Sequence, residues 1–219
     1  YNQRPNDMAS DETFLRRTYL KIIGRIHTLE EGRKFLEDRD RSTKRRKLVD
    51  KLLASEGFNS NWFHFWADIL RAKERINNNR AGGGAFIDYI KESIASNKPY
   101  DKWVKEMLSS TGPLWQEGNG AVGYFARDAG MPLDNMSNTV RIFLGTSLEC
   151  AQCHSHKYDP FSQEEYYKLF AFFNHTPLEV RNKSGKGVSF DFWGPKMDLP
   201  LGTGEEKEFG RLNAELDSL

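Results

Sequence analysis

The sequence predicts an all-α domain with long irregular loops. Apolar residues recur at helical spacing in most segments, capping residues precede these segments, and Gly or Pro residues follow them. The 219 residues, 38% of them hydrophobic, are sufficient for a packed core in one large or two small domains. Because 32 basic and 31 acidic residues leave a net charge of only +1, no global field favours nucleic acid. No apolar run approaches the ~20 residues of a transmembrane helix.

Capping residues predict where the N-terminal helices begin. Ser10 caps a first helix that ends at Gly24, and Thr28 with Glu31 forms the capping box of a second helix. A third helix is expected near Ser42, after a run of charges of both signs that we interpret as a solvated surface. Helical spacing predicts further helices over residues 62–71, 86–96 and 101–111, with a polar, glycine-rich break over residues 77–84.

The C-terminal half has fewer regular segments. The glycine-rich residues 114–133 predict a loop, and a helix capped by Ser137 or Asn138 is expected over residues 139–144. Ser162 and Glu165 form a capping box that begins another helix. The remaining residues predict an extended loop over 176–204, with one short strand over 188–193, and a helix over 205–219.

The sequence Cys150-Ala151-Gln152-Cys153-His154 contains both cysteines of the chain. Cys-x-x-Cys-His is typical of covalent attachment of c-type haem, because two thiols about one helical turn apart bond the two vinyl groups of one porphyrin. His154 is then the proximal ligand of the iron. The sequence therefore predicts one haem c, attached through Cys150 and Cys153, around which the helices are arranged.

Three other interpretations of the motif remain open. A closed zinc site would use Cys150, Cys153, His154 and His156, although four ligands within seven residues rarely reach tetrahedral geometry. A redox-active Cys-x-x-Cys pair favours a βαβ context, which the flanking sequence lacks. A plain disulfide leaves the adjacent His154 unexplained.

The second axial position of the iron distinguishes electron transfer from catalysis. Candidate distal ligands are the thioethers of Met136 and Met131 and the imidazoles of His64 and His175. Arg141 and Arg71 are candidate partners of the haem propionates, with ordinary surface ion pairs as the alternative. His156 lies too close to His154 to reach the opposite face, so we expect it to form a hydrogen bond with Asp159 or a propionate.

Several blocks together resemble one family, the planctomycete-type cytochrome c domain found in large exported proteins. The blocks that carry the resemblance are residues 15–20, 48–55, 62–71, 139–145, 150–156, 159–161 and 166–167. The resemblance covers about residues 10–176 and implies a mostly helical, exported, monohaem domain that uses Cys150, Cys153 and His154. Where relatives often have His directly before the second Trp, this chain has Phe65, and His64 stands one position earlier.

We therefore expect residues 1–176 to form a cytochrome c-like domain and residues 177–219 to form a loop and a helix that lead to a second domain. The expected function is electron transfer in the periplasm or outside the cell, with a redox protein or an exported assembly as partner and without nucleic acid. One alternative is a haem enzyme with an open distal site that oxidises small substrates or uses peroxide. Another is a secreted structural or binding module in which the haem mainly stabilises the fold.

Overall fold

The computed structural model describes residues 7–76, 81–114, 116–128, 131–174, 179–182 and 190–193, together with residues 207, 208, 210–212, 214 and 215. Helices α1 to α9 span Asp11–Ile23, Leu29–Leu36, Lys44–Leu53, Glu56–Ile69, Gly84–Ala95, Tyr100–Ser109, Gly123–Ala126, Pro132–Thr139 and Gln163–Asn174. Two 3₁₀ turns span Gly120–Val122 and Glu149–Gln152, and a π-helix spans Val140–Leu144. The fold is mostly helical, as predicted. Within the described residues, no helix combines the length and the apolar character that crossing a bilayer requires.

A small sheet joins the middle of the chain to its C-terminal part. Its strands β1 to β4 span Arg75–Ile76, Ala81–Gly82, Glu179–Asn182 and Phe190–Trp193. The strand order is β1-β2-β4-β3, and only the β2–β4 pair is parallel. The predicted strand over 188–193 is confirmed for β4, whereas β3 lies in the predicted loop. Other parts of that loop lie outside the described residues, and the described residues between 207 and 215 are helical, as predicted.

Helices α1, α2 and α3 enclose an N-terminal core. Its buried residues are Leu15, Tyr19, Phe35, Leu48 and Leu52. The predicted caps are confirmed, because the Ser10 side chain accepts a hydrogen bond from the backbone N–H of Thr13 and the capping box of α2 is complete. Gly24 ends α1 with a φ of 73°, a left-handed conformation that glycine adopts at little cost. This core packs on the rest of the molecule through contacts of α1 and α3 with α4.

Glu31 connects the N-terminus of α2 to the preceding turn. Arg25 donates hydrogen bonds of 2.8 and 2.9 Å to its carboxylate, and the backbone N–H of Thr28 donates one of 2.7 Å. The Arg25 hydrogen bonds, with smaller help from Thr28, lower the pKa of Glu31 to about 2. Because this pKa is lower in the folded state, its stabilisation is present above about pH 4.5 and is lost as the pH falls towards 2.

We expect Glu31→Gln to lower the free energy of unfolding by roughly 1 kcal/mol at pH 7, since solvent screens the partly exposed pair. The difference from wild type should shrink as the pH falls from 5 to 2, in urea unfolding followed by circular dichroism. Glu30→Gln, on the same turn of α2, is the matched control and should follow wild type. A constant difference across this pH range would contradict the assignment.

Of the three cores in the described residues, the one with the most buried residues forms around α4 to α7 and includes six residues of the predicted loop 114–133. Its buried residues are Leu70, Phe86, Tyr89, Ile90, Ile94, Trp103, Met107, Leu114, Ala121, Val122, Tyr124, Phe125 and Ala126. The loop prediction is wrong for residues 120–126, which form a 3₁₀ turn and α7.

Two glycines of this segment lie very close to α5. A Cβ atom at Gly120 would lie 2.3 Å from the Ala85 carbonyl oxygen, and one at Gly123 would lie 2.4 Å from Phe86 Cβ. These glycines therefore allow close packing on α5.

Gly123→Ala is expected to lower the free energy of unfolding by roughly 2–3 kcal/mol, because the added methyl group overpacks the contact with α5. Urea unfolding measures the change. Gly84→Ala provides the control, since a Cβ atom at Gly84 meets nothing within 4 Å. If both variants were equally stable, the close approach at Gly123 would not contribute to stability.

Candidate functional site

The helix that precedes the cysteine motif begins earlier than predicted and changes type. Pro132 occupies the first turn of α8, a position that favours proline, and α8 continues directly into the π-helix Val140–Leu144. At the junction the Thr139 hydroxyl donates a 2.6 Å hydrogen bond to the carbonyl oxygen of Asn135. Such back-bonding bends helices, and π-helices occur frequently at functional sites. Gly145 ends the π-helix with a φ of 67°.

The motif itself forms a tight turn that has one buried side and one exposed side. Cys150 lies in the 3₁₀ turn Glu149–Gln152, and Cys153 follows it directly. Both thiols are free and both residues are exposed, whereas Ala151 between them is completely buried. The turn therefore anchors itself through Ala151 and presents both cysteines at the surface.

Helix α9 supports this turn from behind. The Gln163 side-chain amide and the Tyr167 hydroxyl each donate a 3.0 Å hydrogen bond to the carbonyl oxygen of Gln152. Burial, with smaller contributions from Tyr167, Glu149 and Cys153, raises the pKa of the Tyr166 phenol, so that it stays protonated. The core between α8, the turn and α9 consists of Met136, Val140, Leu148, Ala151 and Tyr166.

His154 is exposed and its ring has a defined tautomer. Nδ1 lies 2.8 Å from the carbonyl oxygen of Ser155. A carbonyl oxygen only accepts, so Nδ1 carries the proton and Nε2 presents its lone pair. This is the usual arrangement of a metal-binding histidine, in which a hydrogen bond from one ring nitrogen orients the other towards the metal.

His156 has the opposite arrangement. Its mostly buried ring accepts a 2.9 Å hydrogen bond at Nδ1 from the backbone N–H of Asp159, and the Asp159 carboxylate lies 3.4 Å from the same nitrogen. The expected contact with Asp159 is therefore confirmed. The two neighbouring histidines therefore differ in their contacts: Nδ1 of His156 accepts a hydrogen bond within the turn, and Nδ1 of His154 donates one to a carbonyl oxygen.

The two predicted propionate partners lie in different surroundings. Arg141 extends from the π-helix, is exposed, and pairs with Glu149, the residue directly before Cys150. Arg71 follows α4 and pairs with Asp128 at 3.2 Å. The structure therefore brings Arg141 to the motif, whereas Arg71 belongs to a separate polar cluster.

The candidate distal ligands are also dispersed. Met136 is completely buried in the core beneath the motif, whereas Met131 is 51% exposed. His64 is exposed on α4, which packs against α1, α3 and α5, and its ring lies 5.7 Å from that of Phe63. His175 lies outside the described residues. The distal ligand stays a prediction.

A buried polar cluster that sequence reasoning missed connects α4, α7 and α8. Arg127 donates a 2.7 Å hydrogen bond from Nε to Asp128, and both side chains are almost completely buried. Asn138 donates to the same carboxylate at 3.3 Å, and Arg127 lies over the Tyr124 ring. In the sequence, Arg127 and Asp128 stand side by side directly after the apolar run Tyr124-Phe125-Ala126. That adjacency was the one sequence signal for a buried ion pair.

The zinc interpretation lacks a formed ligand set. Among the residues that the structure describes, no three His, Cys, Asp or Glu side chains converge to hold a metal ion. Covalent haem would instead require two accessible thiols on one turn and one available imidazole nitrogen, and Cys150, Cys153 and His154 have these properties.

Comparison with known families gives a match to most of the chain. The model of the PSCyt2 family, described as a protein of unknown function (DUF1549), matches residues 1–177. The chain belongs to the PSCyt2 family. The PSCyt2 match includes the N-terminal core, the central core, the cysteine turn and α9. No curated protein and no solved structure matches the chain.

Proposed function

We propose that this PSCyt2 chain is an exported c-type cytochrome domain that transfers electrons through one covalently attached haem. The observation that carries the proposal is the single turn that exposes Cys150 and Cys153 beside His154, whose Nε2 is available. The family name, which suggests a planctomycete cytochrome c-like domain, supports it. When bound, the haem supplies a one-electron iron couple.

Each residue of the motif has a role in this proposal. The thiols of Cys150 and Cys153 form the two thioethers, and His154 Nε2 binds the iron while the Ser155 carbonyl oxygen orients its ring. Arg141, next to the turn, is the better placed of the two candidate propionate partners. The hydrogen bonds from α9 to Gln152 hold the turn in place.

We infer from the attachment chemistry that the chain works outside the cytoplasmic membrane, in the periplasm or beyond, because c-type haem is attached there. Its partner is then a redox protein or a larger exported assembly. The exposure of the motif supports direct contact with such a partner, because electron transfer requires a short path between the two redox centres.

The attachment test uses the full chain, exported in a host that contains a c-type maturation system. Intact mass should equal the polypeptide plus one haem, and the pigment should stay on the denatured chain. Cys150→Ala/Cys153→Ala should yield unpigmented protein with the bare polypeptide mass, and Ser147→Ala, a neighbouring exposed position, should behave as wild type. A bare polypeptide mass for wild type would refute the proposal.

A second candidate, a haem enzyme with an open distal position, is favoured by the burial of Met136. The cysteines and His154 are exposed, whereas Met136 has no exposed surface and packs in the core with Ala151. Its sulfur reaches a group held at the surface only if this core opens. Burial of Met136 therefore favours an open position or an exposed ligand such as Met131.

We expect Met136→Leu to leave the absorption spectrum of the reduced protein unchanged, while unfolding free energy changes by less than about 1.5 kcal/mol. Carbon monoxide added to wild type separates the two candidates: rapid binding supports the open site, and absence of binding supports electron transfer with two axial ligands. The same absorption spectrum is measured for Met131→Leu, which tests the exposed methionine as a ligand. A spectral change confined to Met136→Leu would instead identify Met136 as the ligand.

A further inference from the structure

An aromatic cavity lies between α4, α5 and α6, and no residue of the cysteine turn lines it. Its volume is about 180 Å³. Five rings and a few polar side chains line it: Phe58, Trp62, Trp66, Tyr100 and Trp103, with Ser93, Asn97 and Lys98. Three of the five tryptophans of the chain are therefore concentrated at one cavity. Cavities with apolar aromatic walls and a few polar groups are typical of small-molecule sites.

Two indole N–H groups in this wall lack hydrogen-bond acceptors. Trp62 Nε1 and Trp103 Nε1 are buried and have no hydrogen-bond partner among the described residues. Trp103 is only 5% exposed, so water does not compensate. Buried donors are normally paired, and each exception in a folded protein requires an explanation. An occupant with acceptor oxygens would supply the missing partners.

The charges around the cavity favour a neutral occupant. Among the residues that the structure describes, Lys98 is the one charged residue that lines the cavity. Its ammonium group pairs with Glu106 at 2.5 Å and lies over the Tyr89 ring. The Glu106 carboxylate thus compensates the charge of Lys98, so an anion gains little there. A cation gains as little, because the Lys98 ammonium and the Glu106 carboxylate already form a neutral pair.

The rings favour a flat occupant. Trp66 contacts both Trp103 and Tyr100, with ring centroids 4.8 and 6.1 Å apart, and Tyr100 at the rim is 50% exposed. Tilted aromatic walls of this kind pack against the face or edge of another planar ring. The hydroxyl oxygens of a saturated sugar could accept the same hydrogen bonds, but a sugar lacks the planar π ring that these walls favour.

We propose that this cavity binds a neutral planar ring with carbonyl oxygens at its edge, the chemistry of a quinone headgroup. The ring packs against Trp66 and Tyr100, and its oxygens accept hydrogen bonds from Trp62 and Trp103. Because both Nε1 atoms are shielded from solvent, the proposal requires the Trp62 and Trp103 side chains to shift when the ring enters the cavity. The inference goes beyond the proposed haem function and does not depend on it.

A ring contact links the cavity to the π-helix that precedes the cysteine turn. Tyr100 lies 6.5 Å, centroid to centroid, from Phe143, and Phe143 belongs to the π-helix that leads to Cys150. A ligand that moves Tyr100 would therefore disturb a ring contact of the segment that leads to the motif.

The test observes the indole N–H groups directly. The full chain, labelled with ¹⁵N-tryptophan, is titrated with duroquinone, whose fully substituted ring does not alkylate thiols. Trp62→Phe and Trp103→Phe assign the signals. We expect saturable shifts of the Trp62 and Trp103 indole signals, with smaller changes elsewhere. Shifts that do not saturate, or that affect all indole signals equally, would overturn the proposal.

Variants and other probes check the ligand class. Tyr100→Ala should weaken duroquinone binding about tenfold through the lost ring contact, whereas Tyr158→Ala, an exposed tyrosine outside the cavity, should bind as wild type. Naphthoate, tetramethylammonium and glucose test the anionic, cationic and sugar alternatives. Preferential binding of any of them, or unchanged affinity in Tyr100→Ala, would refute a quinone-type site.

Discussion

Replacing Asp128 with alanine is expected to lower the free energy of unfolding by about 3–5 kcal/mol, a large part of the stability of a typical domain. The Asp128 side chain is 5% exposed and the Arg127 side chain 2% exposed. Without this carboxylate, Arg127 becomes a buried cation with no counterion, and Asn138 loses its acceptor. Removing one partner of a buried ion pair is far more costly than removing an exposed pair.

Urea unfolding followed by circular dichroism measures this effect. Asp68→Ala, which removes an exposed carboxylate on α4, should stay within about 0.5 kcal/mol of wild type. If Asp128→Ala does not fold, the double variant Arg127→Met/Asp128→Leu should recover folding, because it removes both charges together. A loss below 1 kcal/mol in Asp128→Ala would show that the pair contributes little.

Replacing His154 with alanine is expected to have the largest effect on the proposed site. The exposed His154 is the imidazole whose Nε2 is available, so its loss should remove the proposed proximal ligand of the haem and change the absorption spectrum that depends on it. Added imidazole should restore part of that spectrum. Haem yield per chain should also fall about tenfold or more.

His156→Ala is the matched control for this experiment. It removes the acceptor of the Asp159 N–H, and we expect a loss of about 1–2 kcal/mol in unfolding free energy with an unchanged spectrum. The reverse pattern, with the spectrum lost in His156→Ala and kept in His154→Ala, would exchange the roles of the two histidines.

Local capping signals predicted three helix starts well, whereas α4 and α8 begin several residues earlier than predicted. Ser10, Thr28 and Ser162 each satisfy backbone N–H groups within a few residues, so the sequence itself contains both partners of these interactions. The cysteine motif is equally local, since one turn contains all its residues. Its exposure is not local, because α9 and the buried Ala151 together determine which side of the turn faces solvent.

Interactions between distant segments were not predictable in the same way. Gly120 and Gly123 have the composition of a loop, but their role depends on Ala85 and Phe86 on another helix. Strand β3 depends on its pairing with β4, and Arg127 depends on the packing of α4, α7 and α8 around it. His64, a candidate distal ligand, is exposed on α4, and its surroundings depend on helices that its local sequence does not specify.

The π-helix Val140–Leu144 has a consequence for how the chain can vary in length. Each of its hydrogen-bonded turns contains one residue more than an α-helical turn. A deletion of one residue here would let the segment wind as an ordinary α-helix, and the direction of everything downstream would be largely kept, because the wider π-turn already accommodates one extra residue. The same deletion within α8 would instead rotate the cysteines by about 100° relative to the rest of the molecule. Single-residue deletions should accordingly be tolerated in these five residues more readily than in α8.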